Sequence, residues 1–191
     1  MANQSAVKTL PNRKDIEETL TWNLEDIFST DEEWEKEYAL VKEKIGEAKN
    51  YSQILQESSE QLLHVLQFQM EVSERLGKLY TYAHMRYDQD TGNSFYQGLN
   101  ARAQSLYAQF ASSFSFVVPE ILSLDEATLQ KFIDENSELQ LYKHAIDEIN
   151  LQRGHVLSSE QEALLAQASD VLSASSNTFG VLNNADLEFP T

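Results

Sequence analysis

The 191-residue sequence contains no cysteine. That absence excludes a disulfide framework, a thiolate-ligated zinc or iron–sulfur site and a thiol nucleophile. It also fits a reducing compartment. Proline is almost missing, at Pro11, Pro119 and Pro190, and glycine occurs six times. Segments long enough for helices therefore run uninterrupted, where many short strands would need more turn punctuation. Basic residues are scarce: 14 lysines and arginines stand against 31 aspartates and glutamates, for a net charge of −17. A field of that sign repels phosphate backbones and anionic bilayers, so no nucleic-acid and no membrane partner is expected. No apolar run approaches the roughly 20 residues that span a bilayer. The N-terminus, MANQSAVKTLPNRKD, lacks the apolar core of a secretory signal. The expected location is cytoplasmic.

What is present suits a globular chain. Hydrophobic residues make up 41% and charged residues 24%, close to ordinary usage, which argues against wholesale disorder. A chain of this length buries roughly 70% of the surface its unfolded form exposes. The acid is uneven: residues 15–60 hold 14 acidic against 4 basic side chains. Such a stretch could attract cationic partners, but it reads first as a solvated helix face that keeps the chain soluble. Residues 1–12 read as a flexible tail.

The apolar pattern is helical throughout. Thr30/Glu33, Ser58/Gln61, Ser123/Glu126, Ser137/Gln140 and Ser159/Glu162 each make a capping-box pattern ahead of a periodic run. A first helix is predicted over 31–49, with Trp34, Tyr38, Val41 and Ile45 on one stripe. A second is predicted over 60–87, with Leu62, Leu66, Leu76, Tyr80, Ala83 and Tyr87 inward. Ser73 and Gly77 on the same stripe would admit a close neighbour. Asp90-Thr91-Gly92-Asn93 reads as a turn. A third helix follows over 94–117, with Phe95, Leu99, Ala103, Leu106, Phe110, Phe114 and Val117 spaced by threes and fours. The short connection makes these two long helices antiparallel neighbours. Shorter helices are predicted over 119–122, 125–134 and 139–153, with Gly154 as a stop. A helix from 160 to 172 and a final short one over 173–184 complete the set. Residues 185–190, Ala-Asp-Leu-Glu-Phe-Pro, alternate as a strand does and have no evident partner. The expected fold is all-α, an antiparallel helical bundle-like lobe of six to eight helices with an orphan β-strand at the C-terminus.

Catalytic motifs are absent. The four histidines, His64, His84, His144 and His155, have no second histidine three or four residues away, so H-E-x-x-H is not in the chain. His84 with Asp88, and His144 with Asp147 or Glu148, share a helix face. Two ligands make a poor metal site, and these pairs read as surface ion pairs. There is no glycine-rich phosphate loop and no G-x-S-x-G elbow. Tyr80, Tyr87, Phe95, Phe110 and Phe114 could line a groove but read first as core. No catalytic and no metal-ligating residue is assigned in this chain, and substrate contacts stay unassigned.

Four segments, in order, carry a resemblance. They are Thr21-Trp22-Asn23-Leu24-Glu25-Asp26-Ile27-Phe28, Tyr82-Ala83-His84-Met85-Arg86-Tyr87-Asp88-Gln89-Asp90-Thr91-Gly92-Asn93, Arg153-Gly154-His155-Val156-Leu157-Ser158, and Phe179-Gly180-Val181-Leu182-Asn183-Asn184-Ala185-Asp186-Leu187-Glu188-Phe189. Together they resemble the N-terminal region of oligoendopeptidase F, among the thimet-oligopeptidase-like zinc metallopeptidases. The resemblance implies an all-helical lobe that walls one side of a deep cleft. It implies a downstream catalytic domain holding zinc through H-E-x-x-H and a distant glutamate, and short oligopeptides as substrates.

The expected division is then a tail over 1–12, an acidic helical segment over 13–58, a helical lobe over 59–184, and the start of a missing catalytic domain over 185–191. The expected partners are that domain and, in the complete enzyme, an oligopeptide. The chain by itself would be inactive, with no cofactor of its own. It would expose an apolar docking surface near Leu182, Leu187 and Phe189 that favours self-association. A reading of a different class keeps the lobe as a free-standing acidic interaction module. A third gives the chain its own zinc on scattered histidines and carboxylates such as His84 and His144.

Overall fold

The computed structural model describes residues 13–153, 159–183 and 187. Among the described residues the regular structure is entirely helical, as the periodicity requires. Three single 3₁₀ turns, Arg13–Asp15, Glu18–Leu20 and Leu24–Asp26, lead into α1 (Asp31–Glu47). A further 3₁₀ turn, Ala48–Asn50, and a turn-rich link precede α2 (Ser59–Gln89). Then come α3 (Ser94–Ser113), α4 (Val117–Ser123), α5 (Glu126–Glu135), a 3₁₀ segment (Ser137–Tyr142), α6 (Lys143–Leu151) and α7 (Ser159–Val181).

Local chemistry sets the helix starts. The Thr30 hydroxyl accepts the Glu33 N–H at 3.3 Å, and Asp31, Glu32 and Glu33 fill the first turn of α1, where the helix dipole favours negative charge. The Glu33 carboxylate accepts from the Ser29 N–H and hydroxyl rather than from Thr30, so the box closes one residue early. Ser58 caps α2 through Gln61. Asn93 caps α3 through Phe95. The turn before it is held by Asp90, whose carboxylate accepts from the Gly92 N–H at 3.1 Å.

Two further starts differ from the sequence expectation. Asp125, not Ser123, caps α5: its carboxylate accepts from the Thr128 N–H at 2.9 Å, which holds its pKa below the usual range. The Ser123 hydroxyl instead donates to the Glu120 carbonyl. Asn136, not Ser137, caps the 3₁₀ segment. That segment splits the helix expected over 139–153. The third predicted helix also breaks, at Phe114–Phe116, so that α4 can turn Val117 and Ile121 inward. The two helices expected over 160–184 are one, α7. Residues 1–12, the Gly154 stop, His155, the side chain of Glu162 and residues 184–186 and 188–191 lie outside the described residues. The expected strand falls on them, apart from Leu187, whose N–H donates to the Leu182 carbonyl at 2.9 Å.

α2 and α3 form the spine. Arg86 lies 5.9 Å from the Tyr96 ring, while the earlier Tyr80 meets the later Tyr107 at 5.3 Å, so the helices run antiparallel. Leu62, Leu66, Leu76, Leu79 and Ala83 of α2 pack with Leu99, Ala103 and Leu106 of α3 in one core. α1 lies across both through Trp34, which is completely buried. Its indole N–H donates to the Leu79 carbonyl at 2.9 Å, and its ring stacks on Tyr38 at 5.1 Å. Arg102 of α3 covers both rings, at 5.1 and 4.4 Å, and grips both Glu35 oxygens at 2.5 and 2.7 Å. That fork holds Glu35 below the usual carboxylate range. Lys44 and Arg75 add ion pairs to Glu71 and Glu37 between α1 and α2.

Gln53, in the link between α1 and α2, has φ 73°, a left-handed conformation unusual for a residue with a side chain. Glu120 of α4 fixes it, accepting from the Gln53 N–H at 2.8 Å and from the Ser52 hydroxyl at 3.1 Å. α5, the 3₁₀ segment and α6 close the far end through Leu129, Phe132, Ile133, Leu139 and Ile146. Not all of the expected core stripe is inward. Phe95 is half exposed: it lies in the first turn of α3, one turn before the first buried residue at Leu99, and its ring meets Tyr96 edge-on. Gly77 does not mark a tight helix contact either, since a methyl there would sit 4.0 Å from the Tyr107 hydroxyl.

Two outcomes follow for urea unfolding. Trp34→Ala removes the part common to three helices and lowers the unfolding free energy by about 3–5 kcal/mol. Gly77→Ala adds a tolerated methyl inside a helix and raises it by roughly 0.5–1 kcal/mol.

Candidate functional site

A metal or acid–base centre would need converging imidazoles and carboxylates. Among the described residues no group of three or more histidines, aspartates and glutamates could hold a metal ion. His84 Nε2 lies 3.6 Å from Asp88, one helical turn on, and its ring stacks on Tyr80 at 5.3 Å. Its Nδ1 is enclosed without a hydrogen-bond partner. His144 is exposed, and Asp147 pairs with Lys143 at 2.6 Å instead. His64 packs edge-on against Tyr51. The described histidines are thus separate ring contacts and a surface pair, and these side chains do not fit a zinc ion. The suggested groove aromatics scatter as well. Phe114 is buried, Phe110 packs on it at 4.8 Å, Phe95 is exposed, and Tyr80 alone among them lines a large cleft.

A second locus ties the N-terminal segment to α2. Arg86 donates to the Glu25 carboxylate at 2.7 Å and lies over the Tyr82 ring at 5.1 Å. Burial pulls the guanidinium pKa down, but hydrogen bonds to Glu25 and Tyr82 outweigh it and raise it. The same contact, through the hydrogen bond first, holds Glu25 below the usual carboxylate range. Thr21, Trp22 and Asn23 thereby line a small depression with Arg86 and Gln89. Trp22 itself stands 80% exposed.

The third locus is the contact between α3 and α7. α3 presents Ala101, Ser105, Ala108 and Ser112 toward α7, and α7 answers with Gln167, Ser169, Ser173 and Asn177. Small and polar groups on both sides let the two helices approach closely. A cleft of about 660 Å³, lined by Tyr80, Gln104, Tyr107, Ser169, Ser173 and Asn177, opens on one flank. Another of about 480 Å³ lies on the other flank, between Lys42, Ser112 and Gln167. The large apolar side chains of α7 point away: Leu164, Val171, Leu172 and Phe179 are 63–78% exposed. Leu182 and Leu187, expected at a docking surface, are also exposed, at 44% and 46%. Phe189 lies outside the described residues. Sequence reasoning missed the longer stripe. Its signal was the small-residue spacing 166, 169, 173, 177, which marks the face that approaches a neighbour.

The described residues thus form a helical lobe whose last helix turns apolar side chains outward. Comparison with known proteins gives its family. Residues 120–189 match the family described as Oligopeptidase F. The chain is 56% identical to oligopeptidase PepF of Bacillus subtilis over 191 residues, all of this chain and 28% of that protein. It is 44% identical to the group B oligopeptidase PepB of Streptococcus agalactiae, over 94% of this chain and 30% of that one. The crystal structure of oligoendopeptidase-F from Enterococcus faecium superposes with a TM-score of 0.79 at 41% identity, covering 84% of this chain and 31% of that chain. A putative peptidase from Chlamydophila abortus shares the fold, with a TM-score of 0.66 at 23% identity over 95% of this chain and 31% of that one. The chain belongs to the oligoendopeptidase F family and corresponds to the N-terminal region of its members. It spans less than a third of the length of these relatives.

The Arg86–Glu25 contact carries a pH dependence of known sign. A carboxylate whose folded pKa is lowered supports the fold above its unfolded value and loses that support as pH falls through the folded one. In an NMR titration the Arg86 Nε–H and Trp22 indole resonances should shift together below the ordinary glutamate range. Glu25→Gln should abolish that transition.

Proposed function

We propose that the chain is the non-catalytic N-terminal lobe of a zinc metalloendopeptidase of the oligoendopeptidase F type, and that it walls one side of a cleft in which oligopeptides are cut. The observation that carries this reading is the 41% identity and TM-score of 0.79 with the Enterococcus faecium enzyme over 84% of the chain. The absence of H-E-x-x-H from these residues agrees with it. Zinc, held by a catalytic domain beyond this region, would polarise the scissile carbonyl and activate water. The residues here would supply confinement. The α2–α3 spine is stiffened by its core and by Trp34. A wall that does not yield admits extended short chains, excludes folded ones and reduces the motions of a bound peptide. The net charge of −17 would draw cationic peptides toward the cleft. No helix among the described residues is long and apolar enough to cross a membrane. We place the enzyme in the cytoplasm, a reading supported by a sequence without cysteine.

The test exchanges the lobe. This chain, grafted in place of the matched region of Bacillus subtilis PepF, should restore cleavage of short peptides while leaving folded proteins intact. The chain alone, with zinc, should cleave nothing. A PepF shortened by the matched region that keeps its rate and its size selectivity would overturn the cleft-walling role. A reading frame that continues past Thr191 without H-E-x-x-H would favour the free-standing interaction module instead.

A further inference from the structure

The cleft of about 660 Å³ between α2, α3 and α7 carries polar groups that the fold itself does not use. Its volume lies within the roughly 300–1,000 Å³ of small-ligand sites. Charged residues make up 24% of the chain, yet no described residue lining this cleft is charged. Gln104 of α3 and Asn177 of α7 bring carboxamides to it from two different helices, and Ser173 and Tyr107 add hydroxyls. None of these four side chains hydrogen-bonds to the rest of the described lobe. Between them α3 contributes the methyl groups of Ala108 and Ala111. Tyr80 meets Tyr107 edge-on at 5.3 Å, and Tyr107 is 38% exposed, so aromatic surface is open as well.

The lining selects its ligand by chemistry. A carboxamide carries both donor and acceptor, and so does each peptide unit, so the two pair in either direction. An ammonium, carboxylate or phosphate brought here would lose water and meet no counter-charge. Methyl and phenol surface among the amides suits an apolar side chain. We infer that this cleft binds an uncharged stretch of an extended peptide, with Gln104 and Asn177 pairing with its main chain and Tyr80 and Tyr107 receiving an apolar side chain. The inference rests on the reading of the lobe as a wall beside bound oligopeptides, and it names the part of the wall that the peptide touches. It also sets a local preference against the overall field. A net charge of −17 draws cationic peptides from a distance, whereas this lining favours peptides without charge at the point of contact.

Binding is read on the 191-residue chain without zinc, at physiological salt so that the long-range field is screened. The probe is acetyl-Ala-Phe-Ala-amide, and the NMR signals followed are the side-chain amides of Gln104 and Asn177. Both should shift and saturate. The same peptide with lysine or glutamate in place of phenylalanine should bind about fivefold more weakly. Gln104→Leu with Asn177→Leu should weaken the phenylalanine peptide about fivefold. The melting temperature should stay unchanged, since neither carboxamide bonds within the described lobe. Gln104→Glu should reverse the order and favour the lysine peptide. Amide signals that do not move, or an equal response to all three peptides, overturn the assignment. In the grafted PepF, Gln104→Glu should raise the preference for lysine-containing over uncharged short peptides. An unchanged preference there shows that the enzyme's peptides do not meet this cleft and overturns the inference. A graft that cuts nothing counts against the lobe reading, while binding to the chain alone still decides this one.

Discussion

Burial of Trp34 holds the fold together. Its indole is the largest side chain that is completely enclosed, and it sits where α1, α2 and α3 meet. A ring of that size cannot be shielded by one helix, so its burial sets the spacing of all three. The N–H needs an acceptor once water is gone, and the Leu79 carbonyl provides it. That bond fixes how α1 rotates and slides over α2. Arg102 then seals the outer side, with its stem and guanidinium over the rings and both ends of its fork on Glu35. Hydrophobic burial supplies the energy, and the polar groups select one arrangement among many.

Two kinds of helix contact follow. Between α2 and α3, leucines interlock into one core. Between α3 and α7, alanines and serines meet across a seam flanked by two clefts. Dispersion and apolar burial per residue are small in such a seam. The spine is thus filled by large apolar side chains, while α7 meets α3 through small and polar ones. The Arg86–Glu25 contact has a smaller role, fastening the chain ahead of α1 to the end of α2.

Most helices were legible because each carries its own evidence. Threonine or serine ahead of a 3.6-residue apolar period is a local signal, and Thr30 and Ser58 cap where the pattern says they do. Where two capping residues stand close together the pattern cannot choose. Asp125 prevails over Ser123, because its carboxylate reaches both the Thr128 N–H and its hydroxyl, while Ser123 satisfies itself on the preceding turn. The break that ends α3, at Phe114–Phe116, was invisible for another reason: Phe114 and Val117 keep the helical spacing across it. Phe95 continues the α3 stripe in sequence and still lies exposed, because the core begins a turn later, at Leu99.

Period, capping and composition were enough to establish the all-helical class, the antiparallel pairing of the two long helices across a four-residue turn, and the absence of H-E-x-x-H. All three are properties of residues that are neighbours along the chain. The inner faces of α1, α2 and most of α3 also followed from the apolar stripes, but which side of α7 lies inside emerged from the packed molecule alone. In α7 the answer is opposite to what its leucines and phenylalanine suggest. Amphipathic periodicity shows that a helix has two faces but does not say what covers either one. That choice depends on the size and polarity of distant residues, here the small groups along α3 that admit serine and turn leucine outward.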